Sequence, residues 1–423
     1  MRTDYKCGGT IELIKIAFRN IWRNKRRTAF CISAIGITVF IFVLSTAFND
    51  GMFRCINETV QVFQDGHLRI VSAQFDAEKE SLPVQYPLAD GKNWKYISSS
   101  ILEIPGVRNV FPRIASRATL QENTVKHAVL WGLDIQGEME ANHFNLADRS
   151  DGLREGRWPA PGANECAVGI VFARKSGLSI GDRIPLRTSS AQFADRFWEP
   201  VITGIYSFDY FMFDERYIVV DIQRLQQLLT LEDGTQSIVV FTDDERRSGF
   251  VSAAAQNILG QGAVVNDWND NFFVAAARAE MPIYIIAYLV LLIVASFLII
   301  NTISMIIHER IKEIGMMGCL GMTRAEIVKL FFFESVLMAA IAASIGVIIG
   351  GALTGLLSNF PIRMGDLYGN TFADTPMSNT IFFRFSIARM AQAWLLGVGI
   401  ASLFTLIPSL KSAFVEPVEA LRR

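Results

Sequence analysis

The sequence predicts an α-helical membrane protein with four transmembrane helices and a large extracytoplasmic mixed α+β domain inserted between the first and second. Three observations predict it. The chain has 423 residues, 51% of them hydrophobic, at a formal net charge of -1, and the apolar residues are concentrated rather than spread. Four apolar runs, at 28–49, 282–307, 328–357 and 390–410, reach the roughly 20 residues that a helix needs to cross a bilayer. Between the first two runs lies a long stretch, 51–281, of ordinary soluble composition. Hydrocarbon offers no partner to a free backbone amide or carbonyl, so each run must be helical.

Orientation follows from the basic residues. Arg2, Lys6, Lys15, Arg19, Arg23, Lys25, Arg26 and Arg27 precede the first span against only Asp4 and Glu12, which predicts a cytoplasmic N-terminus. Four spans return the tail 411–423, with Lys411, Arg422 and Arg423, to the same side. The segment 308–327 is then cytoplasmic, and 51–281 and the shorter 358–389 face outward. The first span reads as an uncleaved signal-anchor, since it starts far from the N-terminus and lacks a small-residue cleavage site. Segment 1–27 contains an amphipathic stretch: Ile11, Ile14, Phe18 and Ile21/Trp22 recur at helical spacing, while Lys15, Arg19 and Arg23 recur at i+4. Such a helix lies in the headgroup layer with its basic face to anionic lipid; a plain topogenic flank is the other reading.

In 51–281, runs such as 66–75, 127–135 and 216–222 have strand character, and 94–104, 170–177 and 222–230 are helical candidates. A chain this long between spans predicts two lobes. Gly181-Asp182 reads as a turn entering a strand and not as a phosphate loop. The aromatic stretch 208–217 reads either as core packing or as a docking surface. Asp209, Asp214 and Glu215 read as solvated turn residues, because no neighbouring acid, base or binding motif supports catalysis. Cys55 and Cys166 share the outer compartment, where a disulfide is chemically open, but spacing does not reveal whether they meet. His67, His127, His143 and His308 are scattered and form no ligand cluster, so no metal site is expected.

The segment between the second and third spans, "ERIKEIGMMGCLGMTRAEI", is too specified for a plain connector. Ile306, Ile307, Ile311 and Ile314 keep helical spacing past the membrane, then Gly315, Gly318 and Gly321 interrupt it. Each glycine inside a helix costs up to about 1 kcal/mol relative to alanine, so three imply a bend or a close contact. Thr323 and Glu326 have capping-box spacing, which restarts a helix running into the third span. The product is a short, rigid helix-turn suited to binding something. In the third span, Gly346/Gly350 and Gly351/Gly355 have small-xxx-small spacing, which lets helices approach closely; lipid-facing glycine is the alternative. Glu334, about a turn inside this span, is expected to snorkel or to pair with Arg310 or Lys329.

These residues carry a resemblance. "HERIKEIGMMGCLGMTRAEIVKLFFFESVL" (308–337) is similar to the FtsX-like permease domain through Arg310, Glu313, Ile314, Gly315, Leu320, Gly321 and Glu334, with Cys319 in place of the usual small alanine. The C-terminal Pro408, Ala413, Pro417, Val418, Glu419, Ala420, Leu421 and Arg422 resemble that family's closing motif. Segments 101–114, 165–186 and 201–229 resemble the periplasmic domain of lipoprotein-releasing LolC/LolE-type permeases. The whole therefore resembles the MacB-type (type VII) ABC transporter permeases. The resemblance implies that 308–327 is a coupling helix seated on an ATPase, through Glu309, Arg310, Lys312, Glu313, Ile314, Gly315, Gly318, Leu320, Gly321 and Thr323. It implies a second permease copy or paralogue as well. Segment 187–200 is short and unlike the hook that recruits a lipoprotein carrier in one such subunit, so carrier docking stays open.

The sequence holds no G-x-x-x-x-G-K-[ST] loop, so ATP is expected on a separate ATPase chain. No cofactor, no catalytic residue and no nucleic-acid partner is expected on this one. The expected function is a non-catalytic permease subunit releasing lipoproteins from the membrane. Two alternatives stand beside it. One is a mechanotransmission subunit regulating a partner such as a cell-wall hydrolase, for which the outer domain is large. The other is an export pump for small molecules or peptides, whose usual versions carry a fused ATPase.

Overall fold

The computed structural model describes residues 10–23, 25–88, 94–120, 125–141, 152–309, 316, 322–360, 362–363 and 380–412. The chain divides into two compact units. One is Met1–Met52, Ala279–Pro361 and Phe382–Arg423; the other is Phe53–Arg278 and Ile362–Ile381.

The first unit is helical. Helix α1 (Thr10–Arg23) leads into α2 (Lys25–Thr59), with the Thr28 hydroxyl donating to the Ile21 carbonyl at 3.0 Å across the turn. The amphipathic α1 divides its apolar arc: Ala17 and Ile21 are buried, while Ile14, Phe18 and Trp22 are exposed. Among the described residues, four helices are long and apolar enough to cross a membrane. They are α2 and three that follow the second unit in the chain, Phe272–Glu309, Arg324–Leu357 and Ile387–Ser412. The first two outrun their apolar segments. Helix α2 continues through the polar stretch 49–59, and the helix from Phe272 begins ten residues before the apolar run at 282.

The second unit is built on one mixed sheet. Its strands are β1 (Leu68–Ser72), β2 (Val107–Leu120), β3 (His127–Leu133), β4 (Leu153–Gly156), β5 (Glu165–Gly169), β6 (Leu186–Ser189), β7 (Asp195–Trp198), β8 (Val201–Tyr206), β9 (Tyr217–Asp221), β10 (Ser237–Thr242) and β11 (Ala263–Asp267). The order is β11-β1-β10-β2-β3-β9-β5-β8-β4, with β6 on the end of β2 and β7 on β6. Pairs β3–β9 and β5–β8 are parallel. Two lobes were expected from length; the sheet is continuous because the 14-residue β2 pairs with β10 along its first half and with β3 from Arg113 onward. The short pair β12 (Ile362–Arg363) and β13 (Thr380–Ile381) also belongs to this unit.

Helices α3 (Ala73–Ala77), α4 (Trp94–Leu102), α5 (Ile135–Glu140), α6 (Ile170–Ser176), α7 (Phe211–Arg216), α8 (Ile222–Leu229) and α9 (Ser248–Leu259) punctuate the strands. Asp134 caps α5 by accepting from the Gly137 amide, and Asp221 caps α8 by accepting from the Gln223 amide, each satisfying an orphan donor of a first turn. Strand alternation sorts the cores. Ala128 and Leu130 of β3 enter one cluster with Phe172 and Leu225, while Trp131 and Leu133 enter an aromatic cluster with Phe63, Tyr206, Phe208, Tyr210 and Phe213. Residues 208–217 are thus mainly core packing. A third cluster joins Leu68, Ile70, Ile238 and Val240 to Ile97, Ile101, Val251 and Ala255 of α4 and α9.

Two expectations for single residues meet a different environment, and one open question is answered. Asp214 is buried, accepting from the Phe208 amide at 2.9 Å and the Ser207 hydroxyl at 2.8 Å. It sits in α7, between β8 and β9, where packing of Phe208, Tyr210 and Phe213 pulls it inward. Burial raises its pKa from 3.8 to about 7 against those hydrogen bonds. Glu215 pairs with Lys175 at 2.5 Å. Cys166 is a buried thiol on β5 with no disulfide to Cys55. Gly181 takes a positive φ of 96° and Asp182 accepts from the Ser179 amide, the turn that was expected.

A buried ion pair ties β2 to α5. Arg113 Nε and Nη2 donate to the two Glu138 oxygens at 3.1 and 2.7 Å, and the Trp131 ring lies 5.3 Å from the guanidinium carbon. Burial pushes the Glu138 pKa up and Arg113 pulls it back. The joint with the first helix is equally specific. After Thr59 the chain makes a π-helical turn, Val60–Asp65, that seats Phe63 against Phe208 (4.7 Å between ring centroids) and Phe213 (5.0 Å). Asn271 then serves two neighbours at once. Its side-chain oxygen accepts from the Phe273 amide, and its nitrogen donates to Asp65 at 2.6 Å and Gln64 at 3.3 Å.

Glu138→Ala leaves a buried guanidinium unpaired and is expected to destabilise the domain by about 3–5 kcal/mol, whereas Arg113→Met with Glu138→Leu is expected to be neutral or stabilising; denaturant unfolding of the full chain distinguishes them. Asp214 holds a proton in the folded state that the unfolded chain releases, so stability falls from about pH 4 to about pH 7 and is flat above. The slope, on the order of 1.4 kcal/mol per pH unit, is expected to vanish in Asp214→Asn, read from melting temperature against pH.

Candidate functional site

The candidate site is the bundle of membrane helices and the segment that joins two of them. Phe272–Glu309 is numbered α10, Arg324–Leu357 α11 and Ile387–Ser412 α12. At the start of α11, Thr323 is extended (φ -74°, ψ 155°). Its hydroxyl oxygen accepts from the Glu326 amide at 3.3 Å, and the Glu326 carboxylate accepts from the Thr323 amide at 2.8 Å and its hydroxyl at 2.9 Å. This reciprocal pair satisfies two donors at a helix start and sets where α11 begins. Glu309 is the last residue of α10. Arg310, Lys312, Glu313, Ile314, Gly315, Gly318, Cys319, Leu320 and Gly321 lie outside the described residues. Met316 between them is exposed.

Two faces of α11 are shaped by glycine. A Cβ on Gly346 would lie 2.4 Å from the Gly36 carbonyl oxygen of α2, and one on Gly350 would lie 3.0 Å from the Val43 Cβ. A Cβ on Gly351 would meet the Met390 side chain of α12 at 2.3 Å, and one on Gly355 would meet Phe385 at an ordinary 3.7 Å. The pair 346/350 therefore lets α2 approach backbone to backbone, and 351/355 makes room for the start of α12. In lipid, helices gain little from mutual hydrophobicity, and close packing of small residues supplies the attraction. Around this crossing Val39, Phe42 and Val43 of α2 pack with Tyr288 and Leu292 of α10, Ala339, Ala342 and Ala343 of α11, and Ala393 of α12. Phe42 stacks on Tyr288 at 3.5 Å between centroids, and the Trp394 indole donates to the Ser344 hydroxyl at 3.1 Å.

Polar contacts in the bundle include one pair that spacing did not reveal. Arg389, in the first turn of α12, grips Asp50 of α2 with two bonds of 2.9 Å. The Arg384 amide donates to the Ala47 carbonyl at 3.0 Å, and Phe48 tilts against Phe383. The partners are 339 residues apart, and neither sits in a motif, so only folding pairs them. For Glu334 one of the two expected alternatives is settled, and Arg310, an expected partner, lies outside the described residues. It is buried in the bundle beside Ser335, with Lys329 exposed, so it does not snorkel to the interface. The helix face that carries Leu330, Phe331, Ser335 and Met338 inward carries it too.

Gly346→Leu forces a side chain against the Gly36 carbonyl, so it is expected to lower the melting temperature of the purified chain in detergent by several degrees or abolish its yield, whereas Gly355→Ala is expected to be tolerated. Similar losses from both substitutions would contradict the assignment of the close crossing to Gly346.

Comparison with known proteins agrees with this architecture. The MacB-like periplasmic core domain family matches residues 28–258, and the FtsX-like permease C-terminal family matches residues 285–417. The lipoprotein-releasing system transmembrane protein LolC of Xylella fastidiosa is 22% identical, covering 95% of this chain and 96% of that protein. The lipoprotein-releasing system transmembrane protein LolE of Haemophilus influenzae is 22% identical over 92% of this chain and 93% of its own length. The macrolide export ATP-binding/permease protein MacB of Bradyrhizobium diazoefficiens is 24% identical over 60% of this chain and 33% of its own length. Membership of these families implies an ABC ATPase partner. The chain belongs to the MacB-type, FtsX-like ABC transporter permeases, close to the LolC/LolE type, as a multi-pass membrane protein with four spans and a periplasmic-type domain between the first two.

Proposed function

We propose that this chain is the permease subunit of a transporter that releases lipoproteins from the cytoplasmic membrane, with ATP bound and hydrolysed by a separate chain. The observation that carries the reading is the end-to-end match to LolC, 95% of one chain against 96% of the other. In this reading both termini and the segment 308–327 are cytoplasmic, and this chain carries no cofactor of its own. Two permease chains, identical or paralogous, stand over two ATPases, and a carrier on the far side receives the substrate. Glu309, Arg310, Lys312, Glu313, Ile314, Gly315, Gly318, Leu320, Gly321 and Thr323 form the face that meets the ATPase.

The coupling follows from the helices. Closure of the ATPases displaces the 309–322 segment, and the Thr323–Glu326 cap holds the start of α11 to that displacement. Helix α10 is one element from Phe272 to Glu309 and α2 one element from Lys25 to Thr59. Asn271 joins the end of one to the start of the other through Asp65 and Gln64. The two helices therefore move as a pair, a discrete switch in place of a gradual deformation. A second reading, export of a small molecule or peptide, draws on the match to the macrolide exporter over 60% of this chain.

Purifying the intact complex and identifying bound molecules by mass spectrometry tests the substrate: a co-purified lipid-modified protein is expected, and a wall hydrolase or a small molecule alone would overturn lipoprotein release. The charge reversal Arg310→Glu with Glu313→Arg is expected to cut ATPase association and stimulated hydrolysis at least tenfold; intact association would remove the coupling role. Asn271→Asp keeps the helix cap but sets a carboxylate against Asp65. It is expected to leave basal ATP hydrolysis unchanged while abolishing substrate-dependent stimulation, both measured in the reconstituted complex.

A further inference from the structure

Helix α10 turns one narrow face to the bundle. Tyr288, Leu292, Ala295 and Ser296 are buried, and since successive residues turn about 100° around a helix, these four occupy little more than a quarter of its circumference. The far side carries a stripe of a different kind. Ile283, Ala287, Val290, Val294, Phe297 and Asn301 are all exposed, and the large apolar ones among them by more than half. Phe297 also tilts toward Phe404 of α12, 6.4 Å between centroids, and stays exposed. The six positions are separated by four, three, four, three and four residues, so they run in one line along the helix, opposite the buried face.

Asn301 is the member that does not suit lipid. It lies inside the apolar run 282–307, about 9 Å of helix before the end of that run. Its side-chain amide has two donors and an acceptor, is exposed on the outer face, and has no partner among the described residues. Acyl chains offer it none. A surface meant only for lipid needs no period and excludes an amide. A seam between two helices needs both features: apolar residues every three and four positions, and one asparagine at a seam position to set the register. A primary amide is also its own complement, because each can donate to the other's carbonyl. A two-fold axis brings the same residue of two identical chains face to face.

We propose that this stripe is a self-association face, on which α10 packs against α10 of a second copy of this chain and the two Asn301 amides bond to each other across the axis. The proposal rests on the reading above that two permease chains stand over two ATPases, and it names them as two copies of one chain. Asn301 is about two turns from Glu309, the last residue of α10. A seam pinned there holds the cytoplasmic ends of both α10 helices together, so a displacement of one 309–322 segment reaches both copies.

The test uses the full chain in lipid vesicles, alone and in its complex with the ATPase. Val294→Cys and Asn301→Cys, each in a chain whose 5 native cysteines are alanine, are expected to cross-link copy to copy on copper-phenanthroline oxidation. Ile285→Cys, exposed on another side of α10, is expected not to. Asn301→Leu is expected to leave the melting temperature of the purified chain unchanged, because the face is exposed. It is expected to weaken association of donor- and acceptor-labelled chains about tenfold, read from energy transfer on dilution with lipid, while Asn301→Gln retains most of it. Native mass spectrometry of the complex separates the ways to fail. Two copies that do not cross-link at 294 or 301 would overturn the α10 seam and leave the two-permease reading standing. One copy beside a different permease would overturn the second copy and also leave that reading standing. A single permease over the ATPase would overturn both.

Discussion

A backbone amide in hydrocarbon has no water to turn to, and the membrane half of this permease is arranged around that constraint. It forces each apolar run into a helix with its hydrogen bonds closed internally. It also removes most of the ordinary drive for helices to associate, since lipid tails are as apolar as the side chains. What remains is close contact, and the bundle obtains it where Gly346 lets α11 approach the Gly36 carbonyl of α2. Alanines at 339, 342, 343 and 393 continue the same seam. Charge is admitted where it is paired, as in the two bonds between Asp50 and Arg389.

The water-facing unit meets a different difficulty. Strand β10 is buried along its whole length and β2 through its middle, so polar groups carried inward must find partners inside. Two acids show two outcomes. Glu138 receives a guanidinium with matched geometry, and Asp214 receives backbone amides and a hydroxyl. Burial is the largest influence on both and raises both pKa values; at Glu138 the Arg113 cation opposes it, and at Asp214 hydrogen bonds oppose it and the pKa still moves to about 7. The same turn gathers the aromatic side chains that receive Phe63. The end of α2 is thereby held by ring packing and by Asn271.

Much of the fold was legible in the sequence because its signals are local. A run of apolar residues longer than a bilayer is thick has one solution, and the four spans followed from it. Strand alternation and turn chemistry placed β1, β3 and β9 and helices α4, α6 and α8 within a few residues. Thr323 and Glu326 announced their reciprocal cap because both partners lie within one turn. Glycine spacing marked α11 as a packing helix but left open which neighbours it meets. The structure assigns Gly346 and Gly350 to α2, and Gly351 to Met390 of α12.

Other features were illegible for one reason: they depend on residues distant in sequence meeting in space. Asp50 and Arg389, Arg113 and Glu138, and Asn271 and Asp65 carry no local signature, and Asp214 was read as solvated because no neighbouring acid, base or binding motif gave it a role. The length of β2 makes the main sheet continuous, since a strand long enough to pair with β10 and then with β3 joins the parts that chain length alone suggested were separate. By itself the sequence determined that the chain crosses a membrane four times, where α11 is capped and to which permease family it is similar, because hydrophobic length, capping and motif are properties of short segments. Only the tertiary structure decided which charges are paired, which acids are buried and which face of α1 is left exposed, because burial is a property of whatever packs on top.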